Sequence, residues 1–294
     1  MNAIELNAVD YQYKEFKLND ISFRVPQGFV TGFIGANGVG KTTIIRMIMD
    51  LIEPESGEIL VFNQKMNEYP IELKNKIGFV YSELYLNDKW DVQKIEQYIS
   101  PFYSKWDHQL FTYYLKKFEL PCNRKIKTFS TGMKMKLSIA IAFSHHAELF
   151  ILDEPTSGLD PIVRNEVLDV IQKELIDEKK SVFISTHIIS DLEKIADYLV
   201  YLKGGEVVLN AFLDDILKKF KVVKGDTQQL DEELIQLTNY IEENKTGYTA
   251  LTEHANIFEE IFGNKIAITN PTIEDLMVYL EKGAQKTEHQ NIET

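Results

Sequence analysis

Eight consecutive residues limit what this chain can fold into more than any others: Gly35-Ala36-Asn37-Gly38-Val39-Gly40-Lys41-Thr42. An apolar run, residues 29–34, leads into them. Helical spacing of Ile44, Ile45, Ile48 and Leu51 follows, and Pro54 and Gly57 end that helix. Glycines in such a loop let successive backbone N–H groups turn toward phosphate oxygens, and the helix N-terminus adds positive potential. Lys41 can reach the β- and γ-phosphates of a nucleotide, and the Thr42 hydroxyl can ligate Mg²⁺. By chance the pattern would arise in about one chain in a hundred of this length. Its strand and helix flanks lower that further.

The rest of the pattern is consistent with one fold class. Residues 4–9, 21–25 and 77–81 have strand character. From about 91 to 146 the chain reads as mostly helical. Strands at 149–152, 181–185 and 198–202 then alternate with helices at 161–177 and 188–196, Pro161 fitting a first helical turn. Such alternation predicts an α/β fold, a mostly parallel sheet covered on both faces. Lys203-Gly204-Gly205-Glu206 reads as a hairpin turn. After about Phe220 the composition shifts to polar helices and short strands such as 265–268, with a last helix starting at Asn270-Pro271-Thr272. Residues 283–294 carry almost no apolar side chains and are expected to be disordered.

Composition excludes several classes. A net charge of −13 over 294 residues argues against a nucleic-acid binder. The single Cys122 fits a reducing compartment. Met1-Asn2-Ala3-Ile4-Glu5 lacks the charged and apolar regions of a signal peptide. No stretch reaches the ~18–20 apolar residues that span a bilayer. The chain is expected to be soluble, so any membrane path must come from another chain.

A second motif supports the first. Leu149-Phe150-Ile151-Leu152-Asp153-Glu154 is an apolar strand ending in two carboxylates. Asp153 can hold Mg²⁺ through water, and Glu154 can orient or deprotonate an attacking water.

Three more motifs, in order along the chain, make the sequence resemble the ATP-binding cassette (ABC) ATPases. Phe129-Ser130-Thr131-Gly132-Met133 resembles the signature of that family, usually LSGGQ. Ser157-Gly158-Leu159-Asp160 matches its D-loop, and Ser185-Thr186-His187 its switch histidine. The resemblance covers about residues 1–215. It implies a P-loop cassette with an N-terminal antiparallel β part and a helical subdomain at about 82–146. A small C-terminal α+β accessory region, 216–282, would follow. Carried over, it implies that Tyr13, more than Tyr11, stacks on adenine. Asn37, Gly38, Gly40, Lys41, Thr42 and Thr43 would hold phosphates and metal. Glu154 would be the catalytic carboxylate and His187 would contact the γ-phosphate, with Lys41 assisting. Ser130, Gly132 and Asp160 would act on nucleotide bound by a second ATPase subunit. The cofactors implied are ATP and Mg²⁺. The partners implied are a separate transmembrane permease, holding the chain at the inner face of the membrane, and that second subunit.

Two departures stand out. Thr131 and Met133 replace the usual Gly and Gln of the signature. After strand 77–80 the family has a glutamine near Mg²⁺, where this chain has Tyr81-Ser82-Glu83. Either Glu83 becomes a metal ligand or it is solvated and water completes the shell. Histidines such as the His145-His146 pair lack any ligand constellation and read as surface or helix-end residues. The C-terminal Pro271–Leu276 segment resembles ATPases of exporters for bacitracin or amphipathic peptide toxins. A soluble ABC ATPase acting on ribosomes or DNA fits less well, because one phosphate loop and no basic linker are present. A small-molecule kinase fits least, since it has no use for the last three motifs.

Overall fold

A computed structural model describes residues 1–14, 16–174, 180–244 and 247–290. The chain divides into two compact units, Met1–Asn210 and Ala211–Thr294.

The first unit opens with β1 (Asn2–Tyr13), β2 (Phe16–Pro26), β3 (Val30–Ile34), α1 (Lys41–Ile48) and β4 (Ser56–Val61). Next come α2 (Pro70–Asn75), β5 (Ile77–Val80), α3 (Val92–Ile99), α4 (His108–Lys117) and α5 (Thr131–Phe143). It closes with β6 (Leu149–Asp153), α6 (Pro161–Glu174), β7 (Ser181–Ser185), α7 (Ile189–Ile195), β8 (Tyr198–Lys203) and β9 (Glu206–Phe212). A six-stranded sheet has the order β5-β6-β7-β3-β8-β9, and β5, β6, β7, β3 and β8 pair in parallel. β3, β6 and β7 are buried along their whole length, as expected for strands covered on both faces. A three-stranded antiparallel sheet, β2-β1-β4, packs its apolar face into the same core, where Phe23, Phe33 and Phe183 stack. β4 escapes the sequence pattern because Gly57 is its second residue and only Val61 is fully buried.

Parallel strands bring distant segments side by side. Asp153 at the end of β6 is level with Ser185 at the end of β7, and β3 beside β7 delivers the glycine loop. The loop, both carboxylates and His187 therefore meet at the carboxyl end of one sheet. That is where ligands bind in open α/β sheets.

Helices α3 to α5 occupy the middle of the chain, each with a side chain capping its start: Asp91, Asp107 and Ser130. Beyond the end of α5, His145 is fully buried, whereas His146 is exposed. Of the surface and helix-end positions expected for this pair, His146 has the first and His145, two residues past α5, the second. The His145 ring stacks on Tyr103 at 3.9 Å between centroids, and its Nε2 lies 3.0 Å from the Ile77 carbonyl oxygen. The loop thus uses the imidazole to tie the helical segment to the start of β5.

The second unit contains α8 (Leu213–Lys219), β10 (Lys221–Gly225), α9 (Glu232–Gln236), β11 (Thr238–Asn244), β12 (Gly247–Thr252), α10 (Ala255–Phe262), β13 (Ala267–Thr269) and α11 (Ile273–Gln290). Its antiparallel sheet has the order β11-β12-β10-β13. Val223, Tyr248 and Phe258 anchor a separate core. The Thr272 hydroxyl accepts from Asp275 N–H, and the Asp275 carboxylate accepts from Thr272 N–H, so a reciprocal cap starts α11. The helix continues past Gly283, where the sequence suggests disorder. Residues 291–294 of the expected tail lie outside the described residues.

Burial lowers the pKa of His145 below its ordinary 6.5, and the carbonyls of Ile77 and Ile141 only partly oppose this. The unfolded chain therefore takes up a proton near pH 6.5 that the folded chain resists. The contribution of the neutral ring is present above that pH and lost as pH falls toward the folded pKa. Thermal melts of the parent should show a falling Tm below about pH 6.5, with a shallower fall in His145→Gln. Equal slopes would show that this ring does not titrate on unfolding.

Candidate functional site

α1 begins without a side-chain cap. Gly40 occupies the cap position at φ 116°, and a Cβ there would lie 2.7 Å from the Phe16 ring. Only glycine combines that backbone angle with that approach. The first N–H groups of α1 are thus left for an anion.

Lys41 is 6% exposed. Its Nζ donates to the carbonyls of Gly35 at 2.7 Å and Ala36 at 3.3 Å, and lies 3.6 Å from Glu154 Oε1. The Thr42 hydroxyl donates to Asp153 Oδ2 at 3.1 Å. Ser185 Oγ donates to Asp153 Oδ1 at 2.6 Å and accepts the Glu154 N–H at 3.1 Å. Glu154 sits at φ 51°, a left-handed conformation that costs a non-glycine residue about 1–3 kcal/mol. Its N–H also bonds the Ser185 carbonyl at 3.0 Å, so β7 holds the strained residue in place. The Glu154 carboxylate turns to His187, with Oε2 2.7 Å from Nδ1.

Lys41, Thr42, Glu154 and His187 open onto a pocket of about 850 Å³, whose lining does not include Asp153. Asn37, Gly38, Gly40, Lys41, Thr42 and Thr43 form its phosphate end, and Glu154 and His187 face them. Tyr13, Tyr11 and Phe16 line it as well. Tyr13 is 60% exposed, with the Lys14 ammonium 5.4 Å from its ring centre, whereas Tyr11 and Phe16 pack partly into the core. A purine between an aromatic wall and a phosphate loop fits these dimensions.

Not every expected residue enters the pocket. Ser82 lines it, but Glu83 does not and is exposed. Ser130, Gly132 and Asp160 also lie outside its lining. Ser130 caps α5, its Oγ accepting from Met133 N–H. Asp160 caps α6, accepting from Ile162 and Val163 N–H at 3.0 and 3.1 Å. Gly132 leaves room for Val163, whose Cγ1 would lie 3.2 Å from a Cβ.

Three residues of the pocket lining belong to no sequence motif: Phe16, Arg46 and Ile52. Arg46 lines the pocket one turn after Thr42, a spacing that could have revealed it. Ile52 joins the wall. Ser185 was legible as a motif member, but its bonds to both carboxylate residues follow from strand order alone. Among the described residues no three or more His, Cys, Asp or Glu side chains converge as a metal cage. A Mg²⁺ site made from one hydroxyl, one carboxylate and phosphate oxygens needs none.

A family model described as "ABC transporter" matches residues 18–157. The chain is 33% identical to the ABC transporter ATP-binding protein NatA of Bacillus subtilis, over 68% of this chain and 83% of NatA. It is 33% identical to the bacitracin transport ATP-binding protein BcrA of Bacillus licheniformis, over 69% of this chain and 67% of BcrA. Among solved structures, the dimeric MJ0796 cassette superposes with TM-score 0.63 at 26% identity, covering 71% of this chain and 98% of that one. With the phosphate loop, Glu154 and the switch histidine gathered in one pocket, and Asp153 hydrogen-bonded to Thr42, the chain belongs to the ABC transporter family, as an ATP-hydrolysing subunit.

Proposed function

We propose that this chain powers a separate membrane permease of the exporter type, working as a pair of cassettes that close head to tail over two ATP molecules. The observation that carries this is the division of the expected groups. The pocket holds the phosphate loop, Glu154 and His187, while Ser130, Gly132 and Asp160 lie outside it. A second cassette facing the pocket would supply those groups. The dimeric form of the MJ0796 cassette supports the pairing, and the similarity to BcrA supports an export role.

The contacts support a role for each residue. The uncapped α1 N-terminus and Lys41 bind the phosphates. Thr42 and Asp153 are already within hydrogen-bonding distance of each other, a donor set suited to Mg²⁺, which would neutralise developing phosphate charge. Glu154 takes the proton from the attacking water, and His187 fixes the orientation of that carboxylate. Ser82 lines the pocket and Glu83 is exposed, so water rather than Glu83 would complete the shell of a bound Mg²⁺.

Lys41→Ala should weaken ATP binding. Glu154→Gln should keep binding and lose roughly 10²–10⁴-fold in turnover if it acts as the base. Glu83→Ala should keep the parental Mg²⁺ dependence of ATP affinity. Calorimetric titrations with and without Mg²⁺, beside turnover rates, check all three. Normal turnover by Glu154→Gln would remove the assignment. A weaker Mg²⁺ dependence in Glu83→Ala would restore that carboxylate as a ligand.

The permease reading rests on residues 81–102. Tyr81 packs edge-on against Phe79 and Tyr85, and Trp90 stacks on Tyr98 at 4.5 Å. Tyr85, Tyr98 and Phe102 are 69%, 53% and 78% exposed. Ordered aromatics left in solvent suit a protein partner. Among the described residues no helix is long and apolar enough to cross a membrane. Charged substitutions at Tyr85 or Leu86 should lower transport while ATP affinity persists, and a crosslinker at Tyr85 should capture the permease. Crosslinks confined to other parts of the cassette would contradict this surface.

A further inference from the structure

Asp191 is fully buried, in the first turn of α7. A buried carboxylate needs charged or hydrogen-bonding partners. Arg164 supplies Nε at 2.5 Å from Oδ1, and the Thr156 hydroxyl donates to Oδ2 at 2.7 Å. Arg164 Nη2 also donates to Ser190 Oγ at 2.7 Å. Each partner belongs to a different part of the site. Thr156 follows Glu154 in the loop after β6. Arg164 is in the first turns of α6, the helix that Asp160 caps. Asp191 itself follows His187, and the intervening turn is pinned by Thr186 Oγ1, which accepts the Ile188 N–H at 2.9 Å.

One buried charge therefore joins the segments that carry Glu154, Asp160 and His187. None of these three side chains touches Asp191, so the network can act on the reaction only by placing them. Arginine suits this, because its planar guanidinium fixes two donor directions relative to each other, whereas the donors of a lysine ammonium rotate. We infer that Asp191, with Arg164 and Thr156, is a positioning residue for hydrolysis: it fixes the Glu154–His187 pair and transmits displacement of the Asp160 segment to it. A shift of about 1 Å in such groups can cost on the order of 10²-fold in rate. The inference rests on the proposed roles of Glu154 and His187.

The test compares turnover and ATP affinity in Asp191→Asn, Thr156→Val, Arg164→Lys and His187→Ala, with melting curves for each. Thr156→Val removes one hydrogen bond and keeps the side-chain shape, so it carries the test should Asp191→Asn fail to fold. The network variants should lose about tenfold or more in kcat with little change in ATP affinity. Adding Thr156→Val or Asp191→Asn to His187→Ala should cause little further loss, since groups acting as a unit are not additive. Parental kcat in folded Thr156→Val and Arg164→Lys, or fully additive losses in the double variants, would overturn the positioning role. Parental kcat in His187→Ala alone would instead overturn the site reading on which it rests.

Discussion

The carboxylate of Asp153 is the interaction on which the site depends. It is 2% exposed, at the end of a strand buried on both faces. A charge so placed is tolerable only with hydrogen-bond donors around it. Thr42 and Ser185 are those donors, one from the first turn of α1 and one from the end of β7. Each segment is thereby registered against the others. Ser185 then holds the backbone of Glu154, which puts the next carboxylate in its left-handed turn facing Lys41 and His187. The parallel order β6-β7-β3 makes this possible, because it sets three loops side by side at one sheet edge.

Much of this was legible in the sequence. The glycine loop, the Asp153-Glu154 strand and His187 carry local patterns whose chemistry can be read one motif at a time. α/β alternation gave the parallel sheet, because fully apolar runs such as 149–152 suit strands covered on both faces. What was not legible depends on distance along the chain. Ser185 lies 32 residues from Asp153, and only strand pairing makes them neighbours. Arg164 and Asp191 look like ordinary surface charges on two helices until packing buries one of them. The contact made by His145 was hidden for a related reason. A polar pair after a helix suggests solvent, yet one ring is used to satisfy a backbone carbonyl of another element. β4 was missed because its glycine reads as a turn.

Glu83 shows the limit of motif transfer. The family glutamine is absent, and its neighbour offered plausible metal chemistry by residue type. The geometry separates the two side chains, with Ser82 at the pocket and Glu83 in solvent. Ser82 and Glu83 lie in the bend after β5, where neighbours in sequence need not share a direction, so proximity in sequence alone does not select a substitute ligand.

The central claim is that each catalytic centre is shared between two cassettes. Mixing two inactive variants tests it most directly. Lys41→Ala disables the phosphate loop, and Ser130→Arg blocks the start of α5. In a head-to-tail pair of one of each, one site combines both defects and the other combines neither. Turnover by the mixture, measured on the assembled transporter, should therefore exceed that of either variant alone. A mixture no more active than its components, with both variants still able to pair, would mean that each centre is complete within one chain.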